Sequence, residues 1–372
     1  MFVDRVRVLL LRWAFRLIFG LPRPVKRLLA GPAIRLDGQV LDLDLQLLGR
    51  IGHLFASREG GVIDQATIAE QRRQADIAAK ITAESVLADE IVTRDLRVAG
   101  AEGPLDARLY VPSAAVTPGP VLVYYHGGGF VLGSLESADS LCRLLAAQSG
   151  VRVLSVSYRL APEFPYPAAL EDALAAYDWV RDHPEIVDAD LVAVGGDSAG
   201  ANLALVVAHQ RVGPRVPAFV LAFYPVTDAE RTGGSRELFG SGFGITAADL
   251  EALERLYLPD GVPTHDLRGA ILRAPDLSGM PPVYLATAGF DPLRDEGEEL
   301  VERLVKAGVP VVGRRFSGLV HGYANLTAVS QAARDATLDA ASALRAGLAL
   351  AAGPVTGDLT AGAGDRRAAS GR

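Results

Sequence analysis

Cysteine is almost missing from this 372-residue chain, and its scarcity limits the chemistry that the protein can perform. The single thiol, Cys142, cannot form an intramolecular disulfide, so nothing in the sequence requires an oxidising compartment. Cys142 lies in a helix-like apolar stretch, which favours a role in core packing. Six scattered histidines and one cysteine give no metal-ligand spacing, so the sequence predicts no metal site.

An excess of positive charge is also missing. The formal net charge is −7, and because phosphate binding needs a basic surface, nucleic acid is not an expected partner. The charge is unevenly distributed, however. Residues 1–35 contain eight Lys and Arg against Asp4, a net charge of +7, which leaves −14 for the remaining chain. A basic N-terminal segment is therefore joined to an acidic body.

Neither a long apolar run nor an internal repeat is present. Arginine interrupts the N-terminal segment before any apolar run reaches 18 residues, so a transmembrane helix is not expected. Arg12 and Arg16 would fall inside the apolar region of a secretory signal, which argues against one. The lack of a repeat excludes a solenoid. We expect a cytoplasmic protein with peripheral contact at the inner face of the membrane.

That peripheral contact is expected of residues 1–35. Arg5, Arg12 and Arg16 fall on one narrow stripe of a helical wheel, and the remaining surface is apolar and aromatic. Such a helix suits a lipid interface, and its positive charge favours anionic lipid. The alternative is that the helix packs on the acidic body as an additional cap piece. The sequence does not specify an oligomeric state.

The pattern of charged, apolar and β-branched residues divides the chain into four parts. The basic segment 1–35 is followed by a helical cap portion at 36–88, with helices predicted at 36–55 and 63–81. Residues 89–350 alternate short β-branched runs with helical patterns, which is typical of βαβ units and a largely parallel sheet. Residues 229–275 break this alternation and are expected to form a cap insertion. Residues 351–372 lack apolar anchors and are expected to be disordered.

The fold class is therefore α/β, with a mostly parallel central sheet flanked by helices. Several predicted strands are continuous apolar runs, as expected for strands that are buried on both faces. The predicted strands are 105–111, 121–125, 151–158, 191–195, 219–224, 283–288 and 311–316. The predicted helices of the body are 140–149, 168–183, 199–211, 296–307 and 324–350.

The motif Gly196-Asp197-Ser198-Ala199-Gly200 stands between an apolar strand and a helix-like run. In that context the G-x-S-x-G pattern is typical of a nucleophile elbow, because the tight turn needs small residues two places on either side of the serine. The pattern alone is weak, since an ordinary glycine-rich turn would satisfy it as well. We predict that Ser198 is a nucleophile.

A second glycine-rich motif, His126-Gly127-Gly128-Gly129-Phe130, directly follows the apolar strand 121–125. Consecutive glycines let backbone N–H groups approach a substrate without obstruction from Cβ atoms, as an oxyanion hole requires. A phosphate-binding loop is the rival interpretation, but the Gly-Lys-Ser/Thr element is missing. Together, the two motifs favour acyl transfer.

A nucleophilic serine needs a base, and three histidines follow Ser198 in the sequence. His209 lies about three turns along the helix that Ser198 opens, which places it far from the elbow. His265 falls in the irregular stretch 229–275, where a surface histidine is expected. His321 lies on the loop just past the last predicted strand. We therefore predict His321 as the base.

The acid that orients this base is predicted from its position after a strand. Asp291 immediately follows the strand 283–288, and catalytic groups in open α/β sheets gather at the carboxyl ends of strands. Asp295 and Glu296 are competitors, although both suit the N-terminus of the next helix, where carboxylates are favoured. Asp291 is therefore the predicted acid.

These motifs resemble the hormone-sensitive-lipase-like family of α/β-hydrolases. The resemblance covers residues 36–345 and includes the segments 158–163 and 224–228. It implies the α/β-hydrolase fold with a helical cap, and a carboxylesterase that acts on short- to medium-chain acyl esters without a cofactor. It also implies that Gly128, Gly129 and Ala199 supply the oxyanion N–H groups.

Further residues are expected to bind the substrate. His126 shapes the oxyanion loop by resemblance, and Gly127 and Asp197 adjoin the two motifs. The plausible walls of an acyl pocket are aromatic side chains, although core packing explains them equally well. These are Phe130, Phe223, Phe243 and Tyr323.

The sequence departs from the family pattern at three places. Leu300 stands where the family often has a tyrosine, and Gly269-Ala270 where it often has Ser-Pro. The segment 1–35 is not usual in the family. The alternatives that the residues leave open are an amidase or thioesterase, a lipase for long acyl chains, and a ligand-binding receptor that has lost catalysis. Because serine, histidine, aspartate and glycine loop are all present, we favour the enzyme.

Overall fold

The computed structural model describes residues 2–55, 63, 65–84, 90–113, 115, 119–186, 191–258 and 270–353. The strands found within this part of the chain are β1 (Arg35–Leu36), β2 (Gln39–Val40), β3 (Ile91–Ala99), β4 (Pro104–Pro112), β5 (Val121–Tyr125), β6 (Arg152–Val156), β7 (Val192–Asp197), β8 (Val220–Phe223), β9 (Val283–Phe290) and β10 (Val311–Val320).

The helices alternate with the strands through most of the body. They are α1 (Phe2–Phe19), α2 (Arg23–Ala30), α3 (Leu43–Phe55), α4 (Ile68–Thr82), α5 (Leu135–Ser149), α6 (Ala168–Asp182), α7 (Ala199–Gln210), α8 (Ser235–Leu238), α9 (Ala247–Tyr257), α10 (Arg294–Lys306) and α11 (Gln331–Ala351). Short 3-10 turns lie at Gln65–Thr67, Gly213–Arg215, Ile271–Arg273 and Tyr323–Asn325.

One eight-stranded sheet forms the centre of the protein, in the order β10-β9-β8-β7-β5-β6-β4-β3. All neighbouring pairs from β10 to β6 are parallel, whereas β4 pairs antiparallel with both β6 and β3. Parallel neighbours need a crossover helix between them, which explains why helices cover both faces of this part of the sheet. The antiparallel strands β3 and β4 form one edge.

The core lies in two layers, one on each face of the sheet. Along β5, Val121 and Val123 face a cluster with α6, α7 and α10, whereas Leu122 and Tyr124 face a cluster with α5 and α11. This alternation follows from the two-residue period of a strand. Every residue of β5 through β9 is buried, so these strands have no solvated face.

The seven predicted strands of the body are confirmed, and so is the mostly parallel sheet. The predicted helix 36–55 is wrong at its start, because β1 and β2 form a small hairpin there. Asp37 and Gly38 both have positive φ at its turn, and helix α3 begins only at Leu43. The predicted helix 324–350 likewise begins at Gln331, after a separate 3-10 turn. Strand β3 was not predicted.

The segment 1–35 and the predicted insertion 229–275 are both helical in part. The first contains α1 and α2, and the second contains α8 and α9. Residues 259–269 of the insertion and residues 354–372 of the expected tail lie outside the described residues. Among the helices that the structure describes, none is both long enough and apolar enough to cross a membrane.

Candidate active site

The chemistry-bearing residues follow four strands of the sheet, each at the carboxyl end. The loop of His126 follows β5, Ser198 follows β7, Asp291 follows β9 and His321 follows β10. Because all four strands are parallel, their carboxyl ends lie on the same edge of the sheet. Residues that are separated by nearly 200 positions in sequence are thereby brought to one place.

Ser198 occupies a strained turn between β7 and α7, with φ 54° and ψ −116°. Two glycines make this turn possible. A Cβ atom at Gly196 or at Gly200 would overlap the carbonyl oxygen of Tyr125, at the end of the neighbouring strand β5. Small residues are therefore required by the close approach of two backbones, which is the geometry of a nucleophile elbow.

A chain of hydrogen bonds connects three of these side chains. His321 Nε2 lies 2.9 Å from Ser198 Oγ, and His321 Nδ1 lies 2.8 Å from Asp291 Oδ2. A carboxylate only accepts hydrogen bonds, so Nδ1 carries the proton and Nε2 is left to accept the serine proton. Asp291 is fully buried, and its other oxygen accepts the Leu293 N–H at 2.8 Å. This network fixes the orientation of the imidazole.

The environment of His321 also tunes its protonation. Burial on its own would lower the pKa of this imidazole, but the adjacent Asp291 carboxylate more than offsets burial and raises the pKa above the ordinary histidine value. Asp197 and Glu296 add to the increase from a greater distance. His321 is therefore a stronger base than a free histidine.

The glycine loop is held open beside Ser198 by backbone geometry. Gly128 and Gly129 have φ values of 120° and 63°, in the left-handed region that favours glycine. A Cβ at Gly128 would overlap the Leu132 carbonyl, and one at Gly129 would strike the Leu253 side chain. Ala199 begins helix α7, so its N–H has no acceptor within the helix. These three N–H groups are suited to bind an oxyanion.

Asp197 supports the glycine loop through hydrogen bonds to its carboxylate. Its Oδ1 accepts the Gly127 N–H at 2.8 Å and the Tyr124 hydroxyl at 2.7 Å, and its Oδ2 accepts the Asn325 amide at 3.1 Å. Asp197 and Gly127 also line a cavity at Ser198, so support of the loop adds to their expected role in substrate binding, which stays a prediction.

His126 also acts on the loop. Its ring stacks on Tyr158 with centroids 4.4 Å apart, and its Nδ1 lies 2.8 Å from the Gly127 carbonyl. Burial lowers the pKa of His126, and because the Gly127 carbonyl only accepts, Nδ1 is the donor in this contact. The Tyr158 hydroxyl donates to the His126 carbonyl at 2.7 Å. These contacts agree with a loop-shaping residue.

Two cavities meet at Ser198. The first, here called the cap cavity, is apolar and lies beneath α9. It is lined by Gly129, Phe130, Tyr166, Ser198, Val226, Ala229, Ile245, Leu250, Leu253, Glu254, Tyr257, Leu258 and Ala270. The second, here called the α4 cavity, has a volume of about 550 Å³ and is bounded by α4, the glycine loop, Ser198 and His321. An ester carbonyl at Ser198 can thus extend one substituent into each cavity.

The four predicted wall residues separate into two pairs. Phe130 lines the cap cavity and stacks on Tyr257, with ring centroids 3.9 Å apart. Phe243 lines a third cavity, here called the α2–α3 cavity, which is bounded by α2, α3 and His321. Phe223 and Tyr323 are instead fully buried in the core and line none of these cavities. Phe223 and Tyr323 therefore pack in the core, which is the alternative that the sequence left open for them.

The competing acids and histidines have other partners. Asp295 accepts the Ser235 N–H at 2.9 Å, while Glu296 accepts the Thr227 N–H at 2.7 Å and pairs with Arg236 of α8. Burial raises the pKa of Glu296 to about 7. Both carboxylates thus tie the cap insertion to α10. His209 lies at the end of α7 beside the Asp276 carbonyl, and His265 lies outside the described residues.

Sequence reasoning missed several residues that shape the site. Tyr224, with φ 36°, places its ring 4.8 Å from the ring of His321, and Asn325 supports Asp197. Leu250, Leu253 and Tyr257 share one face of α9 and line the cap cavity. Their spacing of three and four residues was a usable signal for an inward-facing helix side. Tyr224 lies in the segment 224–228 that resembles the family, but its sequence does not indicate a contact with His321, and Asn325 carries no signal.

Two of the departures from the family pattern can be placed. Leu300 lies on α10 and is fully buried in the core. Ala270 lines the cap cavity, and Gly269 lies outside the described residues. The first change concerns packing, and the second adjoins a wall of the site.

A mostly parallel sheet that presents an elbow serine, a glycine loop and a buried His-Asp pair at one edge defines the α/β-hydrolase class of enzymes. The sequence profile of a family described as alpha/beta hydrolase fold matches residues 122–325. The chain belongs to this family, in its hormone-sensitive-lipase-like group, and is a carboxylic ester hydrolase of the serine esterase type.

Individual relatives agree with this assignment. The carboxylic ester hydrolase LipN of Mycobacterium tuberculosis is 39% identical over 360 residues, which cover 94% of this chain and 94% of LipN. An ethyl acetate hydrolase of Pseudomonas putida is 34% identical and covers 74% of this chain and 89% of its own length. A solved esterase from Pyrobaculum calidifontis shares 35% identity with a TM-score of 0.75, and covers 82% of this chain and 98% of its own.

Proposed function

We propose that this enzyme cleaves carboxylic esters of short and medium acyl chains by a two-step acyl transfer, with Ser198 as nucleophile, His321 as base and Asp291 as the orienting acid. One observation carries the proposal: the continuous hydrogen-bonded chain from Ser198 Oγ to His321 Nε2 at 2.9 Å and from His321 Nδ1 to Asp291 at 2.8 Å. The glycine loop beside it supplies the second requirement of acyl transfer.

In the first step, Ser198 Oγ attacks the ester carbonyl while its proton moves to His321 Nε2. The carbonyl oxygen becomes an oxyanion, and the N–H groups of Gly128, Gly129 and Ala199 donate to it. When the tetrahedral intermediate collapses, the bond to the alcohol oxygen breaks and His321 protonates the leaving alcohol. An acyl group remains on Ser198.

In the second step, water takes the place of the alcohol. His321 removes one proton from the water as its oxygen attacks the acyl carbonyl, and the same N–H groups receive the second oxyanion. Collapse releases the carboxylic acid and returns the proton to Ser198 Oγ. Asp291 remains ionised and stabilises the imidazolium that forms in each step.

The acyl preference is expected to follow from the cap cavity. Leu250, Leu253 and Tyr257 of α9 close this cavity over Ser198, so its apolar walls accept a chain of limited length. With p-nitrophenyl esters of increasing acyl length, we expect kcat/KM to be highest between about two and eight carbons and to fall beyond them. Faster hydrolysis of long-chain triacylglycerol than of any short ester would contradict this.

A matched p-nitroanilide of the best acyl group distinguishes the ester from the amide activity. We expect the ester to react faster by at least about 100-fold, because an amide has a poorer leaving group and the same triad serves both. A rate for the anilide that equals or exceeds the ester rate would favour an amidase. A thioester of the same acyl group tests the remaining alternative in the same assay.

The pH dependence tests His321. Only the neutral imidazole accepts the Ser198 proton, so activity is present above the pKa of His321 and is lost as the pH falls through it. Since Asp291 raises this pKa, the midpoint of the acid limb in kcat/KM should lie above the ordinary value of about 6.5. The measurement is kcat/KM of a soluble ester between about pH 5 and pH 9. A profile that is flat over this range, with chemistry rate-limiting, would remove His321 from the role of base.

The proposed location is the cytoplasm, with peripheral contact between residues 1–35 and the inner face of the membrane. The support for this contact is the net charge of +7 on that segment.

A further inference from the structure

Helix α1 has two apolar faces, and only one of them packs on the protein. On the packed face, Ile18 and Phe19 contact a small core formed with α2 and α3, and the Arg12 guanidinium donates to the Ala83 carbonyl beyond α4 at 3.2 Å. The helix runs along α4, which itself borders the active site. The expectation that α1 packs as an additional cap piece therefore describes one side of the helix.

The other face of α1 is apolar and exposed. Leu9, Trp13 and Leu17 follow one another at four-residue spacing, and Leu10 lies beside them, so the four side chains form one stripe. Their exposed fractions are 63%, 66%, 53% and 66%, in the order Leu9, Trp13, Leu17 and Leu10. A helix that packs one face on a soluble body ordinarily presents polar residues on the opposite face. An exposed apolar stripe of this kind marks an interaction surface.

Helix α2 extends this surface. Leu28 and Leu29 are exposed by 82% and 47%, whereas Lys26 of the same helix is buried and Arg27 is half-buried. Lys26 is buried, donates to the Phe19 carbonyl at 3.1 Å and pairs with Asp44 at 2.5 Å. This inverted arrangement, with a buried ammonium and solvent-facing leucines, fixes α2 on the body while leaving its apolar side chains outward.

The charge of the segment identifies the kind of partner. Residues 1–35 carry +7, and three of these cations bond to the body: Lys26 and Arg27 to Asp44 and Gln46 of α3, and Arg12 to the Ala83 carbonyl. Subtracting these three leaves 7 − 3 = +4 for the rest of the segment. An apolar stripe with a tryptophan and surrounding arginines is the composition that binds an anionic lipid surface. The same charge disfavours self-association through two such segments, because they would repel.

The position of the surface relates it to catalysis. The α2–α3 cavity, which Phe243 also lines, has a volume of about 630 Å³. Ala30 and Ile34 line it on one side and His321 lines it on the other. Ile34 is also 38% exposed, so it belongs to both the outer surface and the cavity wall. His321 and Leu326 line the α4 cavity as well, which contains Ser198. The α2–α3 cavity and the α4 cavity therefore share His321 and Leu326 as wall residues.

We propose that the outer face of α1 and α2 docks the enzyme on an anionic lipid bilayer, and that the α2–α3 cavity receives ester substrates that are dissolved in that bilayer. The docking proposal depends only on the exposed apolar faces of α1 and α2 and on the charge of the segment. The delivery part rests on the proposed ester hydrolysis at Ser198. The arrangement favours single-chain amphiphilic esters, which partition into lipid and still fit beneath the cap.

Trp13 gives a direct readout of docking. The chain has two tryptophans, and Trp179→Phe removes the other one, which stacks on His183 away from the site. In this background we expect Trp13 emission to shift to the blue with phosphatidylcholine vesicles that contain about one third phosphatidylglycerol. Lipids brominated in the acyl chain should quench it. Raising the salt to about 0.5 M should weaken binding by at least about 10-fold.

The test variant is Leu10→Glu/Leu17→Glu, which places two charges on the stripe beside Trp13. We expect its partition coefficient to fall at least about 100-fold, since two leucines no longer enter lipid. The matched control is Val212→Glu/Leu350→Glu, which also introduces two glutamates, at exposed apolar residues outside the surface. This control should bind as the parent protein does. All three proteins should hydrolyse a soluble butyrate ester equally.

Equal vesicle binding by the test variant and its control would overturn the docking proposal, and so would an unshifted Trp13 emission in the parent protein. A dimer that Leu10→Glu/Leu17→Glu converts to a monomer, without vesicle binding, would assign the surface to a second copy and would also overturn the docking proposal.

The delivery proposal is tested with a medium-chain ester held in vesicles. Of the three proteins, only the test variant should hydrolyse this ester more slowly. Equal rates would contradict delivery. Loss of soluble-ester hydrolysis in the parent protein would instead refute the proposed function and leave the docking result standing.

Discussion

Replacing Ser198 by alanine is expected to lower kcat for a p-nitrophenyl ester by about 10⁴- to 10⁶-fold while KM changes only a few-fold. The substitution removes only the hydroxyl group, and with it the hydrogen bond to His321 Nε2 at 2.9 Å. The substitution leaves the cap cavity and the glycine loop in place, so we expect the ester to bind with a KM close to that of the parent protein. Residual rate above water is expected from the oxyanion donors alone.

The matched control for this variant is Ser342→Ala. Ser342 is exposed on α11, and its hydroxyl donates to the Leu338 carbonyl within the helix, so its removal should leave kcat unchanged. Circular dichroism and thermal unfolding of both variants exclude a folding defect as the cause. If Ser198→Ala retained more than about one hundredth of the parental kcat, another group would have to be the nucleophile.

Replacing Asp291 by asparagine is expected to lower kcat by about 10⁴-fold. The amide is the same size as the carboxylate, but it can donate to Nδ1 and so stabilise the tautomer in which Nε2 carries the proton. That tautomer cannot accept the Ser198 proton. The substitution also removes the charge that raises the pKa of His321, so the remaining activity should show a lower acid-limb midpoint.

Asp295→Asn is the matched control, because it makes the same substitution at a nearby carboxylate that does not bond to His321. Asp295 is four residues away and was a competitor in the sequence, yet it bonds to Ser235 and Arg294 rather than to His321. We expect its substitution to lower kcat by less than about 10-fold, through the anchoring of α8. A larger loss for Asp295→Asn than for Asp291→Asn would exchange their roles.

The parts of the fold that could be predicted are those in which the sequence pattern is local. Strands β5 and β7 are unbroken apolar runs because both faces are covered by helices, and such runs are visible without a structure. The elbow and the glycine loop could be predicted for a similar reason, since the close approach of Gly200 to Tyr125 is encoded in a five-residue motif. The order of strands then places Asp291 and His321 at the same edge.

Strand β3 escaped prediction because its sequence has no apolar pattern. Of its nine residues only Ile91 and Val98 are buried, and the strand exists through its pairing with β4. The hairpin of β1 and β2 was missed because each strand is two residues long and its turn lies inside a helix-like stretch. In both cases pairing with distant residues overrides the local pattern.

The support of the site could not be predicted either. The carboxylate of Asp197 is directed to Gly127, Tyr124 and Asn325 by tertiary packing, although its place in the motif suggested a substrate contact. The same holds for Phe223, which faces the core beneath the site while Phe130 faces the cap cavity. Sequence position indicates which strand end a residue follows, but the direction of its side chain depends on neighbours from other elements.

The most direct test of the central claim is the identity of the residue that becomes covalently modified. The enzyme is treated with a fluorophosphonate, and the modified peptide is sequenced by tandem mass spectrometry alongside the Ser198→Ala and Ser342→Ala proteins. We expect one adduct per chain, located on Ser198, with loss of esterase activity in proportion to labelling and no adduct in Ser198→Ala. An adduct on another residue that accompanies loss of activity, or labelling that persists in Ser198→Ala, would contradict the account.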